Sequence, residues 1–140
     1  RRRLHPRAMA LGIPSLLEGA VDRLLNEMLF VREAALRGPV RGTTDYAKDF
    51  AARGPADRQG RSLRDFDLDS RLFRNPLSFL VYSAAFDALP DVVLDRFYSR
   101  LDAVLSGEDH HPNFAHLSEV DRVAIQEILE ATKPEFVTRR

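Results

Sequence analysis

The chain has 140 residues, enough for one hydrophobic core and not two, and 44% hydrophobic with 30% charged residues is ordinary globular composition, which excludes disordered, collagen-like and mucin-like chains. It contains no cysteine, so a disulfide framework, cysteine-ligated zinc, iron–sulfur ligation, covalently attached c-type haem and a cysteine nucleophile are all excluded. Its 21 basic and 21 acidic side chains cancel, so no overall field draws it to nucleic acid or anionic lipid, and nucleic acid is not an expected partner.

The opening Arg1-Arg2-Arg3-Leu4-His5-Pro6-Arg7 is basic and starts on Arg rather than Met, and Gly12 and Pro14 interrupt the apolar stretch behind it. Residues 1–14 are therefore expected to be a basic tail or linker within a longer chain, ahead of a single helical domain over 15–138. No window approaches the roughly 18 uncharged apolar residues of a transmembrane segment. Ser15 suits an N-cap, and Leu17, Val21, Leu24, Leu25, Met28, Leu29 and Val31 recur at helical spacing, which predicts an amphipathic helix over 16–36 stopped by Gly38-Pro39. Thr43 and Thr44 can cap a short helix through Tyr46 and Phe50 that ends at Gly54-Pro55. From Gly54 to Arg64 the chain reads as loop. Asp67 or Asp69 is expected to open a helical turn carrying Leu68, Leu72 and Phe73, cut by Asn75-Pro76.

Residues 77–89 are apolar almost all round, which predicts a helix in the centre of the domain. A strand over Phe79–Tyr82 is set aside because no second strand-like run exists to pair with it. Pro90 and Asp91 open the next helix, whose stripe is Val93, Leu94, Phe97, Leu101, Val104 and Leu105 and whose stop is Gly107. Ser118 and Asp121 approximate a capping box for a last helix with Val120, Ala124, Ile125, Ile128 and Leu129 on its apolar face, closed by Lys133-Pro134. The expected fold is all-α, an irregular bundle of about five helices around the apolar segment 77–89, with Leu80 and Phe97 in the core.

The neutral total conceals an asymmetry. Residues 53–74 hold six arginines against four aspartates, whereas residues 87–138 hold four bases against eleven acids. Such regions can face each other inside the fold or present an acidic face to a basic partner. Arginine outnumbers lysine 19 to 2, and its planar fork suits bidentate capture of carboxylate or phosphate.

Two loops gather candidate chemistry. In the arginine loop 53–64, Arg58, Arg61 and Arg64 recur every three residues and could clamp an anion, with a ligand pocket beside Tyr82 and Phe86; the plainer reading pairs the arginines with Asp65, Asp67 and Asp69. The Walker spacing is absent, since five residues separate Gly54 from Gly60 and Arg61 follows. In the histidine loop 107–116, Asp109, His110, His111 and His116 are candidate metal ligands, although adjacent loop histidines seldom point at one ion. The plainer reading there is a solvated loop with a buried or capping His116. The D-x-D-x-D run at Asp65 lacks the glycine and glutamate of a calcium loop, having Ser70 and Pro76 in their places. Ser83, Asp87 and His110 form no recognisable hydrolytic pattern. No cofactor is favoured.

The run Gly54-Pro55-Ala56-Asp57-Arg58-Gln59-Gly60-Arg61-Ser62-Leu63-Arg64, with Asp67-Leu68, Arg71-Leu72-Phe73, Tyr82-Ser83-Ala84-Ala85-Phe86-Asp87-Ala88-Leu89-Pro90, Leu105-Ser106-Gly107 and Lys133-Pro134, resembles an uncharacterised bacterial helical domain over most of residues 30–136. That domain sits at the C-terminal end of longer, often exported proteins. The resemblance implies a bacterial source, favours a periplasmic or exported parent, and brings no catalytic residue with it. The expected function is a non-catalytic interaction or structural module that contacts another part of its own chain or a protein partner. The alternative is a domain binding a small molecule, cofactor or metal through one or both loops.

Overall fold

The structure, a computed structural model, describes residues 6–33 and 44–140, and among these the regular elements are six α-helices and two 3-10 turns, with no strand. Helix α1 spans Pro6–Met28. It begins ahead of the expected cap at Ser15, runs through Gly12 and Pro14, and ends well short of position 36. Its end has a local cause: Phe30 takes a left-handed φ of 56°, and the N–H groups of Phe30 and Val31 donate to the carbonyls of Glu27 and Asn26, which closes the helix in a Schellman turn. Glycine usually holds that place. Here the Phe30 ring stacks on Phe73 with centroids 5.6 Å apart, a contact that offsets the backbone strain. The expected stop at Gly38-Pro39 and the cap at Thr43 lie outside the described residues.

Helix α2 covers Thr44–Ala52, as the sequence suggests. The helical turn expected from Asp67 or Asp69 does not form. A tight hairpin replaces it: the Asp67 N–H donates to the Leu72 carbonyl, the Leu68 N–H to Arg71 and the Arg74 N–H to Asp65, around an isolated antiparallel bridge between Phe66 and Phe73. Leu68 turns the corner at φ 59°, and the two phenylalanine rings stack at 5.2 Å across the bridge. Cross-strand ring contact wins over helical spacing here.

Residues 77–89 do not form one helix. Phe79–Tyr82 is a 3-10 turn, Ser83 is extended, and Ala84–Asp87 is a single α-helical turn, α3. The cause is two serine hydroxyls, since Ser78 accepts the N–H of Leu80 and Ser83 that of Phe86, each capping its own short turn. The apolar side chains then part company: Leu77, Val81 and Phe86 are buried, whereas Leu80 is 53% exposed and is no core residue.

The centre belongs instead to α4, Asp91–Leu105, which packs on α1, α5 (Glu119–Thr132) and α6 (Pro134–Arg139). Its Phe97, Tyr98, Leu101 and Val104 are fully buried and share one cluster with Leu25 and Leu29 of the α1 end, Ile125, Ile128 and Leu129 of α5 and Phe136 of α6. Each such side chain contributes about 1.5–3 kcal/mol on burial. Gly107, at φ 83°, ends the α4 region, and Ser118 and Asp121 make the reciprocal capping bonds that open α5, both at 3.0 Å. Val120 departs from the expected face, being 77% exposed. Lys133-Pro134 closes α5, yet Pro134 also opens α6, because a proline at the first helical position lacks only an N–H that would be unpaired anyway.

Candidate functional site

The three loop arginines do not converge. Arg58 is exposed, on a turn closed by the Gly60 N–H donating to the Asp57 carbonyl. Arg61 donates to Asp57 at 2.8 Å and reaches Glu127 of α5 at 3.1 Å, bracing the loop against the bundle. Arg64 does something else. Its Nε–H donates to the Phe50 carbonyl at 2.7 Å, and its guanidinium carbon lies 3.7 Å from the Phe50 ring centroid and 4.7 Å from that of Phe79. Gly54 makes room for this path, since a Cβ there would fall 2.2 Å from the Arg64 Cδ.

Arg64 and Tyr82 line one wide-mouthed, solvent-open cavity of about 260 Å³, with Arg53, Pro55, Phe79, Leu80 and Ser83. The Tyr82 hydroxyl lies 2.6 Å from the Thr132 hydroxyl, which itself donates to the Ile128 carbonyl at 2.7 Å. Burial pushes the Tyr82 phenol up from its ordinary range, against the opposing pull of Thr132.

The basic middle and the acidic C-terminal part face each other, through Arg61 and Glu127 and, more strongly, through Arg71, whose two terminal nitrogens donate to Asp121 at 2.9 and 2.6 Å. Burial pushes the Asp121 carboxyl up, but Arg71 and the Ser118 N–H outweigh it and hold the group below the usual carboxylate range. Of the three aspartates in D-x-D-x-D, Asp67 lies 3.9 Å from Arg71 and Asp65 accepts the Ser62 N–H. On the far side, Arg96 pairs with Glu18 and Arg100 with Asp22, tying α4 to α1.

The candidate metal ligands divide between two places. Asp109 accepts the His111 N–H at 3.0 Å, and the His111 Nδ1 accepts the Asn113 N–H at 3.1 Å, so that ring serves as a turn cap with a bare Nδ1. His110 is exposed beside them, and all three line a shallow depression of about 190 Å³. His116 lies elsewhere: its Nε2–H donates to the Leu29 carbonyl at 2.7 Å, just past the end of α1, and its ring lines a second cavity of about 220 Å³ with Phe30, Arg71 and Phe73. Among the described residues no group of three or more His, Asp or Glu side chains could hold a metal ion. Ser83 and Asp87 are also committed, Ser83 donating to the Leu80 carbonyl at 2.7 Å and Asp87 accepting from Lys133 at 2.6 Å.

Two features escape a reading by spacing, a pair of buried polar groups at Lys133 and Tyr98 and an aromatic edge. Lys133, one of two lysines in the chain, is 4% exposed and pinned by Asp87. Tyr98 is fully buried with an unpartnered hydroxyl, which burial and the nearby charges of Asp87 and Glu135 push far above the ordinary phenol range. The other is an aromatic edge on which Tyr46, Phe50 and Phe66 stack and Phe79 meets Phe50 edge-on. Rarity of lysine was the one signal for the first; nothing local marks the second, because its members come from α2, the hairpin and the 3-10 turn. No family model, curated protein or solved structure matches the chain.

Proposed function

We propose that the chain is a non-catalytic helical module of a larger, exported bacterial protein, working by contact with another part of its own chain or with a protein partner. The supporting observation is the open aromatic edge. Tyr46 is 64% exposed on a stack of half-buried rings, Leu80 is 53% exposed next to Phe79, and Arg64 lies between the Phe50 and Phe79 rings. Tyrosine and arginine anchors on apolar ground are the usual composition of energetically dominant interface residues. Of the groups of the expected chemistries, Ser83, Asp87, His111 and His116 are meanwhile occupied in capping and bracing, and His110 is exposed.

A photo-crosslinking residue placed at Tyr46 or Leu80 of the full-length protein in its native cells tests this reading. Crosslinks from both positions, within the chain or to a second protein, are expected, with none from exposed Gln59 at the loop tip. Equal yields at all three positions would contradict it. A second reading, binding of a small ligand, is favoured by one observation: Arg64 and Tyr82 share a cavity.

A further inference from the structure

Arg61, Arg71, Arg96, Arg100, Arg139 and Arg140 each pair with a carboxylate, whereas among the described residues Arg23, Arg32, Arg58, Arg74 and Arg122 have none, and neither do Arg53 and Arg64. Both line the cavity beside Tyr82, and no acidic residue lines it with them. Arg64 is half-buried and held in place at three points: Nε–H on the Phe50 carbonyl, the guanidinium on the Phe50 ring, and the passage left by Gly54. Among the described residues its two terminal nitrogens have no acceptor. A half-buried, preorganised cation without a counter-charge is a receptor for an anion from outside.

The hydroxyls of the same cavity cannot serve that anion. Thr132 gives its proton to the Ile128 carbonyl, so the Tyr82 hydroxyl must give its own to Thr132. Ser83 likewise spends its proton on the Leu80 carbonyl. What Tyr82 and Ser83 offer a ligand is lone pairs, which accept N–H groups and repel anions. Phe79, Leu80 and Pro55 supply apolar wall. At about 260 Å³ the cavity lies below the range of about 300–1,000 Å³ typical of drug-sized ligands. That is room for one residue-sized group.

We infer that this cavity binds an apolar N-acyl amino acid: carboxylate on Arg53 and Arg64, the amide N–H on the Tyr82 or Ser83 oxygen, and the side chain against Phe79 and Leu80. The same chemistry is presented by a free N-acyl amino acid and by the C-terminal residue of a peptide. This site deepens the small-ligand reading and rests on it.

Titration calorimetry on the full-length protein with N-acetylphenylalanine tests the assignment, beside its carboxamide, 3-phenylpropanoate, and an acetylated peptide ending in leucyl-phenylalanine with a free carboxylate. Saturable binding is expected for N-acetylphenylalanine or the peptide. The carboxamide should bind at least about tenfold more weakly, for want of a charge-assisted contact, and 3-phenylpropanoate several-fold more weakly, for want of an N–H donor. Arg64→Gln should weaken binding about tenfold, and Arg53→Gln, on an exposed side chain that leaves the fold intact, should weaken it several-fold. Gly54→Ala should weaken it by displacing Arg64. Preference for the free compound identifies a small acid as the source, and preference for the peptide identifies a chain end. Equal binding of acid and carboxamide, indifference to Arg53→Gln, or no saturable binding at millimolar concentration would overturn the assignment. Saturable binding without preference for the acid would overturn this assignment and leave the small-ligand reading standing, whereas no saturable binding of any of the four compounds would count against both.

Discussion

The molecule has two aromatic clusters, and they are built on different rules. In the inner one, Phe86, Phe97, Tyr98 and Phe136 meet edge-to-face at 67–80° with centroids 5.1–6.3 Å apart, and all are buried. In the outer one, Phe30, Tyr46, Phe50, Phe66 and Phe73 stack within 26° of parallel in successive pairs, open to solvent at Tyr46. Edge-to-face contact fills a closed volume, whereas stacking leaves flat faces that can take another ring or a guanidinium, as Arg64 shows on Phe50. The inner cluster belongs to regular helices and supplies stability. The outer one draws its rings from α2, the end of α1 and the irregular segment pinned by Arg61, Arg64 and Arg71, and supplies surface.

The difference has measurable consequences. Phe97→Ala should lower the free energy of unfolding in urea by about 3–5 kcal/mol, whereas Leu80→Ala on the outer side should change it by about 0.5 kcal/mol or less. Comparable losses would erase the distinction. At the inner edge, Asp87→Asn leaves the buried Lys133 ammonium without its close partner and should cost about 3 kcal/mol, while Lys133→Met, which leaves Asp87 on the exposed side, should be near neutral. Tyr98→Phe removes a buried hydroxyl that has no partner and should raise stability by about 1 kcal/mol. The smallest effect is electrostatic. Because the folded Asp121 carboxyl titrates below its unfolded value, its contribution is present above about pH 4 and is lost as pH falls through the folded value. Asp121→Asn should therefore be less stable than the native protein at neutral pH, and the gap should close in acid.

Much of the inner half is legible in the sequence, because α4 and α5 carry an uninterrupted stripe at helical spacing and the Ser118–Asp121 box marks a start. The outer half is not. Ser78 and Ser83 look like polar interruptions in an apolar run, and only their backbone bonds show that each starts a separate turn. Phe30 closes α1 without glycine because Phe73, far along the chain, stacks on it. The candidate site shows the same limit. Spacing singled out Arg58, Arg61 and Arg64 together, yet their partners are a solvent-exposed turn, α5 and an aromatic pair. Of those three arginines, Arg64 alone lines a cavity with Tyr82.

The central claim is that the outer cluster binds and the inner one supports. It is tested most directly by Tyr46→Ala in the full-length protein carrying the photo-crosslinker at Leu80. The expected result is an unfolding midpoint matching that of the protein with Tyr46 intact, together with loss of the Leu80 crosslink. An unchanged crosslink, or a loss that merely follows a fall in stability, would contradict it.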